Sequence, residues 1–199
     1  MTSFNPTAFL ESELNEHQEV LDRTRDMIHA PFKALLDTVT NSLKKGGKIL
    51  FFGNGGSAGD AQHLATELVV RYRDNRVPIP AIALTTDTSA LTAIGNDLGF
   101  DHLFSRQIEA LGNPGDIALG ITTSGQSPNV IKGFEMAKKK GLLCAGLTGK
   151  DGGKLVGLCD PLIIIPSNTT ARIQEMHIFV GQLLCDALEK NLGLKTEKP

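Results

Sequence analysis

Tryptophan is absent from this chain and tyrosine occurs once. Bases of a nucleic acid have no aromatic platform to stack on. A basic footprint is missing too. The formal net charge is −2, and acidic and basic residues are interspersed. No nucleic-acid partner is expected from that balance. The one cationic run, Lys138-Lys139-Lys140, suits the solvated end of a helix, where positive charge favours the dipole. Cysteine is scarce. Cys144, Cys159 and Cys185 are odd in number and far apart. They form no disulfide framework and fit a reducing compartment. No apolar run approaches the roughly 18 residues of a membrane span. The opening residues Met1 to Pro6 lack a basic and apolar leader pattern. A cytoplasmic protein with no membrane contact is the expectation.

What is there alternates. A helical stretch at about 6–46, broken near Ala30-Pro31, precedes five strand candidates at 48–52, 80–84, 116–121, 142–147 and 161–165. Helix candidates lie at 58–71, 88–95, 101–111, 128–140 and 169–191. Runs such as Ile117 to Ile121 and Leu162 to Ile165 are apolar on both faces, as a parallel sheet covered on both sides requires. The spacing predicts one α/β domain over 1–199, doubly wound, with N-terminal helices at 1–46 available for oligomerisation. Ligands then belong beyond the carboxyl ends of the strands.

Two strand-to-helix turns carry the strongest chemical signal. The first is Gly53-Asn54-Gly55-Gly56-Ser57, with the helix expected from about Ala58. Glycine turns of this kind can aim backbone N–H groups and a helix dipole at an anion, and they can also be plain structural turns. The loop matches neither a P-loop nor GxGxxG, so no nucleotide cofactor is expected. The second is Thr122-Thr123-Ser124-Gly125-Gln126-Ser127, followed by Pro128 in the first turn of a helix. Four hydroxyls and a glycine there suit phosphate oxygens better than a single N-cap would require. On the helix after the first loop, Asp60, His63 and Glu67 share one face. His63 and Glu67, four apart, can hold a metal, position a base, or simply be a solvated face. The last helix offers Gln174, His177 and Gln182 beside an apolar stripe. His177 reads equally as a satisfied structural histidine. Asn96-Asp97 reads as a turn before it reads as a site.

Five motifs occur in order over nearly the whole chain: GNGGSAGDAQH, PAIALTTDTSALTAIGND, TTSGQSPN, LTGKDGGK and ARIQEMH. Together they resemble the sugar isomerase (SIS) domain family and, within it, the phosphoheptose isomerases. The resemblance implies a flavodoxin-like five-stranded parallel sheet and a homotetramer with active sites shared between subunits. It implies isomerisation of sedoheptulose 7-phosphate through an enediol, at the start of heptose and lipopolysaccharide precursor synthesis. Carried over, it places substrate contacts at Asn54, Gly55, Gly56, Asn96, Asp97, Thr122, Thr123, Ser124 and Ser127. Ser57 can add a hydrogen bond. The resemblance assigns His63, Glu67 and Gln174 to catalysis and to one zinc ion per subunit.

One departure stands out. The family has a second histidine, a metal ligand and acid/base, where this chain has Gln182. An amide can coordinate through its carbonyl but cannot shuttle protons near neutral pH. That leaves open a divergent enzyme, an inactivated variant or a relative with another task. His177 is an alternative partner for His63. The similar DnaA initiator-associating protein keeps a binding-module reading alive, although it typically lacks a carboxylate at the position of Glu67. A generic flavodoxin-like domain with another anionic ligand is the third reading.

Overall fold

Strands apolar on both faces need cover on both sides, and the alternation of helices supplies it. The computed structural model describes residues 4–194. Five strands, β1 (Ile49–Gly53), β2 (Ala81–Ala83), β3 (Ile117–Ile121), β4 (Leu143–Gly149) and β5 (Leu162–Ile165), form one parallel sheet in the order β2-β1-β3-β4-β5. The helices are α1 (Pro6–Lys44), α2 (Gly56–Val69), α3 (Thr88–Asp97), α4 (Leu103–Leu111), α5 (Pro128–Lys139) and α6 (Thr170–Leu192). This is the doubly wound, flavodoxin-like order, and its switch point lies between β1 and β3.

Alternate residues of each strand feed two cores. Ile49 and Phe51 of β1, with Ile117, Leu119 and Ile121 of β3, pack under α1, α2 and α6. Leu50, Phe52 and Ala118 point the other way, into a core with Phe104 of α4 and Phe134 of α5. Phe52 lies 5.4 Å from Phe104 and 5.0 Å from Phe134 between ring centroids, in tilted contacts that aromatic rings favour.

The N-terminal segment is one helix, not two. Pro31 lies inside α1, which runs unbroken to Lys44. Proline removes one helical hydrogen bond, here the one that Met27 would accept, and usually ends a helix. Here Val20 and Thr24 before it and Leu35 and Val39 after it bury one continuous stripe. Burial on both sides of the proline outweighs the lost bond. Asn5 caps the start, accepting from the N–H groups of Thr7 and Ala8 at 3.1 Å. Phe4, just before α1, and Phe9, Leu10 and Leu14 in its first turns are exposed.

Candidate functional site

Parallel strands deliver β1 and β3 to the same edge, so the two loops singled out above emerge side by side at the switch point. In the first, α2 begins at Gly56, two residues earlier than expected, and its N-cap Gly55 offers no side-chain cap. The amide of Gln174, on α6, fills the space where a Cβ on Gly56 would stand. Glycine is required there for that close approach. Ser57 is buried in the first turn.

Asn54 does not present a free amide. Its Nδ2 donates to Asn129 Oδ1 and its Oδ1 accepts from Asn129 Nδ2, both at 2.8 Å. Asn129 Oδ1 also accepts from the N–H of Val130. This buried amide pair ties the first loop to the start of α5. Asn129 escaped the sequence reading because an asparagine in the first turn of a helix looks like ordinary capping. Only its pairing with an asparagine 75 residues away distinguishes it.

The hydroxyl loop is held in shape from below. Gly125 has φ +65°, and its Cβ position is occupied by the carbonyl of Gly152. Lys154 N–H donates to the carbonyl of Gly125 at 3.0 Å. The LTGKDGGK segment is thus the seat of this loop. Thr122 Oγ1 and Ser127 Oγ are 3.4 Å apart. Ser124 Oγ accepts from the N–H of Gln126, and Thr123 is half-buried beside it. Ser127 is the N-cap of α5 but makes no capping bond, so its hydroxyl turns to Thr122 instead of to the helix. Residues 122–127 contain no cation. The groups this loop offers an anion are hydroxyls, N–H groups and a helix dipole.

On α2, His63 Nε2 lies 3.0 Å from Glu67 Oε1, with the His63 side chain 46% exposed and that of Glu67 22%. One turn earlier is Asp60, whose carboxyl is pushed up by burial while His63 pulls it down. Helices α2 and α6 run parallel in register. Gly56 meets Gln174, and Leu64 fills the Cβ space of Gly181. That register puts the half-buried Gln182 level with Leu64 and Ala65, between His63 and Glu67 along the axis.

His177 is elsewhere. It is fully buried, and neither ring nitrogen has a hydrogen-bond partner. Burial lowers its pKa to about 4, with the backbone of nearby Thr148 pulling slightly the other way. Buried and with no side-chain partner, it is a structural histidine and does not pair with His63, which corrects the pairing expectation. The turn reading of Asn96 and Asp97 is also corrected. They close α3 instead of forming a turn, and Asn96 Nδ2 donates to Asp97 Oδ1 at 2.7 Å. They are the last two of the ten residues of α3, at its far end from β2.

The donor set for a metal is mixed. Among the described residues no group of three or more His, Cys, Asp or Glu side chains could hold an ion. The 3.0 Å between His63 Nε2 and Glu67 Oε1 nevertheless suits two ligands of one zinc, since tetrahedral ligands at zinc distances stand about 3.3 Å apart. Carboxamide oxygens would have to complete the set, and they are weaker donors.

A family model described as the SIS domain matches residues 14–149. A phosphoheptose isomerase of Paramagnetospirillum magneticum is 60% identical over 181 residues, covering 91% of this chain and 94% of that protein. One from Campylobacter jejuni is 51% identical, with 91% and 97% covered. The solved structure of a phosphoheptose isomerase from Neisseria gonorrhoeae superposes with a TM-score of 0.89 at 41% identity, over 94% of this chain and 100% of that one.

Proposed function

The chain belongs to the SIS domain family, among its phosphoheptose isomerases, and from that membership we propose the reaction and the residues that carry it. The substrate is sedoheptulose 7-phosphate and the product D-glycero-D-manno-heptose 7-phosphate, a precursor for lipopolysaccharide heptose. The observation that carries the assignment is the His63–Glu67 pair, 3.0 Å apart on the helix that begins at the first anion-suited loop. Glu67 speaks against the binding-module reading, which has no use for a base there.

The phosphate is held by Thr122, Thr123, Ser124 and Ser127 at the start of α5. Gly55, Gly56 and Ser57 add N–H groups from α2. Asn54 acts through its tie to Asn129, and Gln174 closes over Gly56. With the phosphate anchored, binding energy orients C1 and C2 toward α2. Glu67 takes a proton from C1. The released electron pair forms the C1–C2 double bond as the C2 carbonyl oxygen, polarised from the side of His63, takes a proton from solvent. Return of the proton to C2, with loss of the O1 proton, yields the aldose.

We propose zinc at His63, Glu67, Gln174 and Gln182. When bound it supplies Lewis-acid polarisation of the substrate oxygens. A symmetric homotetramer is proposed as the working form. Asn96 and Asp97 stand at the far end of α3, and a neighbouring subunit could bring them to a site. The exposed apolar turns of α1 supply a face for such packing. A cytoplasmic location is proposed as well. Among the described residues no helix is long and apolar enough to cross a membrane.

The test is incubation with sedoheptulose 7-phosphate, with and without added zinc, following aldose formation. Wild type should turn over. Glu67→Gln should lose roughly 10²–10⁴-fold in kcat, the usual worth of a general base, while sugar-phosphate binding is kept. No turnover in either metal state, or full turnover in Glu67→Gln, would overturn the assignment.

A further inference from the structure

A helix leaves its last four carbonyls without helical partners. For α2 these include Glu67 and Leu68, so the end of the helix carrying the proposed base needs outside donors. Val70 N–H takes the carbonyl of Thr66, and Ile79 N–H takes that of Leu68. The remaining work falls to a residue in the following loop. Arg76 Nη2 donates to the Glu67 carbonyl at 2.8 Å and Nη1 to the Leu68 carbonyl at 2.8 Å. Nη1 also reaches the Val77 carbonyl, and Nε donates to Glu189 Oε1 at 2.8 Å.

Glu189 lies near the end of α6, and it is equally engaged. Besides Arg76 it accepts from three successive N–H groups, those of Tyr72, Arg73 and Asp74, at 2.8, 3.1 and 3.2 Å. The side chains of Arg76 and Glu189 are 0% and 2% exposed. A buried pair of this kind costs desolvation and is weak evidence of stability by itself. Fully satisfied, it rigidifies what it touches. What it touches is the backbone of Glu67, the 72–77 loop and α6, which also carries Gln174 and Gln182. The Arg76 side chain is fully buried among these partners, so its action runs through position.

We infer that Arg76 and Glu189 are a positioning pair for Glu67, fixing the backbone of the base to α6, the helix that carries Gln174 and Gln182. The inference rests on the reading of Glu67 as the base. Misplacement of a catalytic group by about 1 Å costs on the order of 10²-fold in rate without removing any contact to substrate.

The experiment measures kcat, KM and thermal midpoint for Arg76→Met, Arg76→Lys, Glu189→Gln, Glu67→Gln and the double variant Arg76→Met/Glu67→Gln. Arg76→Met should lose roughly 10–100-fold in kcat with KM within about twofold of wild type. Arg76→Lys, which keeps the charge but has no fork to span two carbonyls, should recover part of the loss. In the double variant the Arg76→Met loss should vanish, because a base that is absent cannot be misplaced. A lowered midpoint with unchanged kcat overturns the proposal, as do losses that multiply in the double variant. Full turnover in Glu67→Gln overturns the base assignment and the proposal with it. An inactive Glu67→Gln beside a fully active Arg76→Met overturns the proposal alone. If Arg76→Met does not fold, the isosteric Glu189→Gln is judged by the same criteria.

Discussion

Gln182 stands where the resemblance calls for histidine, level with His63 and Glu67 on the neighbouring helix. Its amide oxygen is a poor zinc donor and holds no proton to give. Altering even an outer partner of a metal ligand moves affinity by roughly 10–100-fold. Gln182→His should therefore tighten zinc by at least about tenfold in a calorimetric titration and raise kcat. An unchanged affinity and rate would remove Gln182 from the ligand set. His177 makes a different prediction. Its folded pKa is about 4 against 6.5 for the free side chain. Above pH 6.5 both states are neutral and the residue leaves stability unchanged. As pH falls from 6.5 toward 4, the unfolded chain takes up a proton that the folded one refuses, so stability is lost across that window. The loss is at most roughly 3 kcal/mol. Denaturation midpoints measured between pH 7 and pH 4.5 should fall for wild type and fall less for His177→Leu. Equal slopes would refute this account.

At the scale of elements, Gly125 makes the hydroxyl loop possible. A side chain there would adopt a left-handed backbone and press on the Gly152 carbonyl. The backbone strain alone costs about 1–2 kcal/mol, or roughly 5–30-fold if it is expressed in the ligand-ready form of the loop. Gly125→Ala should weaken phosphate-sugar binding by that factor while circular dichroism stays native; unchanged binding would count against the loop. The loops and strands were legible in the sequence because their signals are local. Two-faced apolar runs mark buried parallel strands, and clustered hydroxyls before Pro128 mark a helix start. Pro31 misled because a local rule met a long-range stripe. The Asn54–Asn129 pair and the Arg76–Glu189 clamp left no local trace, since each joins residues 75 and 113 apart. His63 and Glu67 were visible by helical spacing, whereas the buried environment of His177 depends on β4 and was not.

Over the whole molecule, the two anion-suited loops lie at the carboxyl edge of the sheet, His63 and Glu67 lie farther along α2, and an exposed apolar cluster lies around the start of α1. Phe4, Phe9, Leu10 and Leu14 are 74%, 53%, 55% and 53% exposed in the single chain. Light scattering at micromolar concentration should give four times the chain mass. Replacing Phe9, Leu10 and Leu14 together with polar residues should reduce that mass and the turnover with it. A wild-type monomer would remove the tetramer. The hydroxyl loop, lacking any lysine or arginine, has a consequence for how substrate arrives. A dianionic sugar approaches a protein of net charge −2 with no cation in the loop proposed to seat its phosphate. Long-range attraction therefore contributes little to the encounter. Capture is governed by diffusion and fit, and dissolved salt, which screens charges over about 10 Å, has little to screen. The enzyme should work at nearly constant efficiency across ionic strengths at which cation-guided phosphate sites falter.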